Sequence, residues 1–206
     1  MAVGFAEGGV ANAGELHIYR RLNGGIAWTQ FDIIASPDQS AEDLFGADVS
    51  IQGDTLAVTA PGEDGAGVDR GAVYFYRWNG TDWVFSNSAY GTTDNDPSYT
   101  SVACYDGEIL VGSPSYDEAP DVDNGRIDFW EWDGSSYTFR GFFFSLAGNT
   151  RMGGSVDLDG LACVVSTEAG AGFYFEKDVS TGWSFVDVLN LPTVSGVVSA
   201  VAIDSS

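Results

Sequence analysis

The chain has 206 residues, with 30 acidic against 8 basic side chains and a formal net charge of -22. That balance excludes phosphate neutralisation as a working principle, and with it nucleic-acid binding and attachment to anionic lipid. Hydrophobic residues make up 44% and aromatics 14%, enough for a core, and no stretch approaches the roughly 18 apolar residues of a membrane span.

In chain order, the first predicted strand lies in MAVGF (Met1–Phe5). It is followed by GELHIYRR (Gly14–Arg21) and IAWTQF (Ile26–Phe31). A longer unit runs from Phe45 to about Tyr90, reading FGADVSIQGDTLAVTAP and then GAVYFYRWNGTDWVF. Val49 and Ile51 alternate there with Asp48, Ser50 and Gln52, and Val73 and Phe75 with Tyr74 and Tyr76. This is the period of two expected of strands. The same grammar returns between Tyr99 and Phe139, as YTSVACYDGEILVGSP and GRIDFWEWDGSSYTF. It returns again between Gly153 and Phe185, as GGSVDLDGLACVV and GFYFEKDVSTGWSF. Asn79-Gly80, Asp106-Gly107, Asp133-Gly134 and Asp159-Gly160 stand where tight hairpins need them. No stretch carries a helical period.

The two ends complete each other. MAVGF matches the second strand of a unit, as in LAVTA (Leu56–Ala60). VVSAVAIDSS (Val197–Ser206) matches the first, with Val201 and Ile203 in the slots of Val49 and Ile51. The aromatics Trp28, Trp83, Tyr137 and Trp183 recur at roughly 46- to 55-residue spacing, including across the joined ends. One aromatic per unit at one slot points to packing between units. The prediction is an all-β, four-bladed β-propeller. Each blade is a four-stranded antiparallel sheet, and the C-terminal strand joins the N-terminal three to close the ring. It forms one domain, 1–206, with blades at 197–206 plus 1–36, 45–92, 97–146 and 149–191. The same complementarity operates within one chain or between two, so a monomer and a strand-exchanged dimer both fit.

DLFGADVSIQGDTLAVTAP (Asp43–Pro61), followed by GAVYFYRWNGTDW, resembles the FG-GAP repeat. Phe45-Gly46 opens it and Thr59-Ala60-Pro61 follows the second strand. Gly112-Ser113-Pro114 stands at the latter place in the next unit, and Gly153-Gly154 marks the third. The resemblance implies blades like those in the heads of integrin α-chains, and a role in adhesion or ligand binding without catalysis. Propellers of that family commonly have seven blades, against four here. Integrin-like repeats hold calcium in a loop between the first and second strands. The matching segments here are Gln52-Gly53-Asp54, Tyr105-Asp106-Gly107-Glu108 and Asp159-Gly160. They have too few carboxylates for the six to eight oxygens calcium takes. No metal or cofactor is expected.

In a propeller the second-to-third and fourth-to-first connections emerge on one face. Here those are the long loops, and they carry half of the 30 acidic residues. The candidate ligand-binding residues are Asp64, Asp69, Asp117, Glu118, Asp121 and Asp123 on these loops. Trp130 and Trp132 join them as aromatic platforms beside carboxylates. Catalytic signals are weak. His17 is the only histidine, and neither a nucleophile elbow nor a phosphate-binding loop is present. Cys104 and Cys163 are expected to be reduced, buried side chains. Met1–Gly9 has no basic or apolar leader pattern, so export by that route is not expected unless a signal was removed. The functional expectation is a non-catalytic module that presents an acidic long-loop face to a protein or glycan. The alternative is a structural subunit of a larger assembly, such as a virus-particle surface or appendage protein.

Overall fold

A computed structural model describes residues 1–21, 25–37, 39–65, 67–92, 98–117, 122–146, 148–168, 170–190 and 200–204. The alternating runs form four antiparallel sheets. β1 (Ala2–Phe5), β2 (Glu15–Arg21) and β3 (Trp28–Ala35) make a three-stranded sheet. β4 (Val49–Gln52), β5 (Thr55–Ala60), β6 (Ala72–Trp78) and β7 (Trp83–Tyr90) make a four-stranded one. The third sheet contains β8 (Ser101–Tyr105), β9 (Glu108–Ser113), β10 (Arg126–Trp132) and β11 (Tyr137–Phe144). The fourth contains β12 (Val156–Asp159), β13 (Ala162–Ser166), β14 (Ala171–Asp178) and β15 (Gly182–Asn190). Each is a meander, and the set fits a four-bladed propeller. The predicted closing strand is not formed as one: residues 200–204 have no strand assignment, and 197–199, 205 and 206 lie outside the described residues.

The repeat is deeper than the sequence pattern. Each third–fourth strand pair carries a β-bulge at the same place: Ile18/Tyr19, Phe75/Tyr76, Phe129/Trp130 and Tyr174/Phe175. A bulge adds local twist, so all four sheets are bent alike. The hairpin between first and second strands turns in two residues in all three complete sheets. In the third sheet both turn residues, Asp106 and Gly107, have positive φ (44° and 86°), as a type I′ turn requires. Between third and fourth strands an Asx turn recurs. Asn79 Oδ1 accepts from the N–H groups of Thr81 and Asp82 (both 2.8 Å), Asp133 Oδ1 from those of Ser135 (2.8 Å) and Ser136 (3.0 Å), and Asp178 Oδ1 from those of Ser180 (2.8 Å) and Thr181 (3.0 Å).

Three apolar clusters lie between consecutive sheets. Leu16, Ile18, Leu56, Val58 and Tyr74 fill the first seam. Ala57, Phe75, Ile109, Val111 and Tyr137 fill the second, and Leu110, Phe129, Cys163, Val165 and Phe175 the third. The recurring aromatic slot packs across these seams as expected. Tyr137 meets Phe75 (centroids 5.3 Å apart) and Trp183 stacks on Phe129 (4.9 Å). Trp28, the copy in the first sheet, is 46% exposed. Both cysteines are free and buried, and burial pushes the Cys104 thiol up to about 12.

Beside the first strands of the sheets the seams are polar. Asp48, just before β4, and Ser50 and Gln52 of β4 accept from the backbone N–H groups of Val102 (2.9 Å), Cys104 (3.0 Å) and Asp106 (2.9 Å). In the fourth sheet Ser155 and Asp157 do the same for Val201 (3.3 Å) and Ile203 (2.7 Å). Backbones also meet closely across two seams. A Cβ on Gly4 would lie 2.0 Å from the Gly46 carbonyl oxygen, and one on Gly112 2.1 Å from that of Gly153.

Gly112→Ala is therefore expected to destabilise the fold by about 1–3 kcal/mol through overpacking. Gly154→Ala, whose Cβ would meet only the Ser166 hydroxyl at 3.5 Å, should cost far less. Urea denaturation of the two variants decides; equal losses would show that the close approach is not a constraint.

Candidate functional site

Six of the eight predicted site residues are described, and they divide between the two ends of the sheets. Asp64 and Asp69 lie exposed in the β5–β6 loop, where the Asp69 N–H donates to Asp64 Oδ1 (3.0 Å). Asp117 is exposed in the β9–β10 loop and accepts from the Asp123 N–H (2.6 Å). Glu118 and Asp121 lie outside the described residues. Trp130 and Trp132 stand at the far end of β10. A strand of seven residues spans about 20 Å, so the tryptophans and the acidic loops do not share one pocket. Trp130 packs on Phe75 (5.1 Å), and Trp132 lies under the Arg77 guanidinium (5.1 Å). Both are half-buried.

The long-loop end is less uniformly acidic than the sequence suggests. Asp43 is buried (1% exposed), as is Glu63, which accepts from the Tyr74 hydroxyl (2.6 Å). Arg151 lies between Asp123 (3.3 Å) and Glu168 (3.4 Å), tying the loops of the third and fourth sheets together. Burial works against its charge, but the two carboxylate neighbours together outweigh that and hold its pKa above the ordinary value. Beneath these loops Asp128 is almost fully buried. Arg126 Nε donates to its Oδ1 (2.5 Å) and the Tyr99 hydroxyl to its Oδ2 (3.2 Å). Arg126 also lies over the Phe142 ring (4.2 Å). Both carboxylate oxygens of Asp128 have a donor, so the cluster reads as a structural tie within the third sheet, joining the lead-in to β8 to β10 and β11.

The hairpin end carries two clefts that the sequence reading missed. One, of about 310 Å³, opens at the third seam; Glu108, Glu131, Arg140, Phe142, Lys177 and Trp183 are among its lining residues. Lys177, the only lysine of the chain, is paired with Glu108 and stands 4.0 Å from Glu131. Arg140 Nε donates to Glu131 (2.8 Å). Burial lowers the pKa of Lys177. The other cleft, of about 290 Å³, opens at the first seam and is lined by Tyr19, Arg20, Phe31, Asp54, Trp78 and Trp83, among others. A sequence signal for both exists in the repeat register. Arg20, Arg77, Glu131 and Glu176 each stand six positions after a positive-φ glycine: Gly14, Gly71, Gly125 and Gly170.

His17 gathers no catalytic constellation around it. Its Nε2 meets Glu15 Oε1 (2.7 Å) and its ring lies 4.6 Å from Phe5. Among the described residues no three His, Cys, Asp or Glu side chains converge as a metal site, and no helix is long and apolar enough to cross a membrane.

The FG-GAP repeat family matches residues 28–76. That segment runs from β3, the last strand of the first sheet, through β4 and β5 to β6, and it includes Phe45-Gly46 and Ala60-Pro61. It supports the FG-GAP resemblance and a propeller built for binding or structure. No curated protein matches the chain.

Burial pushes the Asp128 carboxyl above its usual value, against Arg126 and Tyr99, which pull it down. A carboxyl raised in the folded state contributes stability fully below its unfolded pKa, about 3.9, and that contribution is lost as pH rises through the folded value. Asp128→Asn should flatten the corresponding fall in melting temperature. Thermal melts across that window check this; a variant that tracks the parent's slope would contradict it.

Proposed function

We propose that the chain is a closed four-bladed propeller that works by binding and not by catalysis, with its long-loop face offered to a protein or glycan partner. The observation that carries this is the inequality of the two ends. Hairpins of two to four residues close one end of the three four-stranded sheets, with six residues between β2 and β3; at the other end the β5–β6 and β9–β10 connections run to eleven and twelve residues, and the β13–β14 connection to four. Long loops on a rigid scaffold are where binding residues concentrate. Exposed carboxylates at that end, Glu42, Asp64, Asp69, Asp117 and Glu168, favour a partner with basic character.

Closure within one chain is supported by repeat register. Val201 and Ile203 hang on Ser155 and Asp157 as Val102 and Cys104 hang on Asp48 and Ser50. Residues 200–204 then stand in the place of a first strand for the first blade, in keeping with blades at 197–206 plus 1–36, 45–92, 97–146 and 149–191. Tyr174 stands in the slot of Phe75 and Phe129, whose partners are Tyr137 and Trp183, so its counterpart is Trp28. Glu176 stands in the slot of Glu131, which faces Lys177, so its counterpart is Arg21. Arg21 and Glu176 carry opposite charges and are exposed.

Two measurements test these readings. Light scattering should give the mass of one chain, and Trp28→Ala should lower the melting temperature although Trp28 is 46% exposed. A discrete dimer that falls apart in Trp28→Ala would instead mean strand exchange, and larger discrete species would favour an assembly subunit. For the face, binding to poly-lysine is compared between two variants of equal net charge. Asp64, Asp69, Asp117 and Glu168 become amides in one, and Asp54, Asp106, Asp159 and Asp187 in the other. The first should weaken binding more; equal weakening would remove the face from the proposal.

A further inference from the structure

We infer that the two clefts at the hairpin end are sites for neutral sugar rings, one at the first seam and one at the third. This goes beyond the long-loop proposal, since it concerns the opposite end of the sheets. The two clefts are built from the same four repeat slots. At the first seam these hold Arg20, Phe31, Trp78 and Trp83; at the third they hold Glu131, Arg140, Lys177 and Trp183. The second seam holds Arg77, Ser86, Trp132 and Tyr137 in those slots. There the guanidinium lies over Trp132 at 5.1 Å and donates to Thr55 Oγ1 at 3.0 Å, filling the space from within. Clefts of nearly equal volume, about 290 and 310 Å³, thus recur at two equivalent places with different side chains. At the small end of ligand-site sizes, they suit a ligand of one or two rings.

The chemistry of the third-seam cleft narrows the ligand. Its charges balance, with Glu108 and Glu131 against Lys177 and Arg140. An anion meets a chain of net charge -22, and a cation has to displace Lys177. A purely apolar ligand strips water from four charged groups without replacing its hydrogen bonds. A sugar fits all three constraints. Its hydroxyls both donate and accept, and its C–H face lies on an aromatic ring such as Trp183 or Phe142. Glu108 spends one carboxylate oxygen on Lys177 and keeps the other buried without a hydrogen-bond partner among the described residues. A small rotation of that carboxylate toward the cleft would let it accept from a hydroxyl. At the first seam Arg20 lies over Phe31 (4.0 Å), and Trp78 packs at 5.6 Å from Phe31 and 5.5 Å from Trp83. Asp54 is on the rim of this aromatic wall.

The test is a titration of the labelled chain with glucose, galactose, mannose, fucose, N-acetylglucosamine and their common disaccharides, followed by amide chemical shifts. The expected result is saturable binding of at least one sugar, with a dissociation constant of about 1 mM, as small clefts give. Shifts should cluster around Arg20, Trp78 and Trp83 and around Arg140, Lys177 and Trp183. Arg140→Ala, at a half-exposed position, and Lys177→Met, at a mostly buried one, should each weaken the third-seam site about tenfold and leave the first-seam shifts intact. Arg20→Ala should do the reverse. No saturable binding by any sugar overturns the inference, as does binding that these variants leave unchanged. Shifts confined to the long loops would overturn it while supporting the long-loop reading.

Discussion

The fold depends on how the innermost strands satisfy their backbone. An innermost strand has a sheet partner on one side only, and its other edge carries N–H groups that face the neighbouring blade. A buried N–H without a partner costs about 1–3 kcal/mol, and an open strand edge invites pairing with another chain. Here the partner is a side chain. Asp48, just before β4, and Ser50 and Gln52 within it reach across to Val102, Cys104 and Asp106, and Ser155 and Asp157 reach the C-terminal segment. The polar members of an alternating strand, which a sheet facing water would simply solvate, are the groups that join one sheet to the next. The cost is visible at Asp48, whose carboxyl is raised by burial while the N–H groups of Val102 and Val49 pull it down.

Given that tie, the rest of each seam follows from the bend of the sheets. A bulge at one place in every third–fourth strand pair turns the end of each sheet the same way. Aromatic side chains fill the widening outer part of the seam: Trp183 against Phe129, and Tyr137 against Phe75. Where the seam narrows, glycines let backbones touch, as Gly112 and Gly153 do. The outermost part of the seam at the hairpin end is the least constrained by packing, so the repeat can vary there. It holds a cation on an aromatic ring in one seam and an ion pair in another.

Much of this was legible in the sequence. The period of two, the Asp-Gly and Asn-Gly turns and the recurring aromatic slot all report local or self-similar features. They foretold four antiparallel sheets and the interlocking role of Trp83, Tyr137 and Trp183. The candidate site was less legible. Exposed-looking carboxylates at Asp43 and Glu63 are buried, because long loops fold back over the seams. Trp130 and Trp132 read as an aromatic surface in the sequence, yet Phe75 and Arg77 from the preceding sheet cover them. Arg140 and Lys177 carried no motif, and Arg20 shows only as one slot of the repeat register; it takes the spatial superposition of those slots to bring the three to notice.

By itself the sequence determined the class of the fold, the number of sheets and the direction of their turns. These depend on interactions between residues close in the chain or at equal places in a repeat. Tertiary structure decided which polar side chains face a neighbouring sheet, which carboxylates are buried and where clefts remain. Those outcomes depend on which residues of one sheet face which residues of the next, about fifty positions away. Alternation says only that a side chain points to one face or the other, and what waits across that face is set by the neighbour's bend and register.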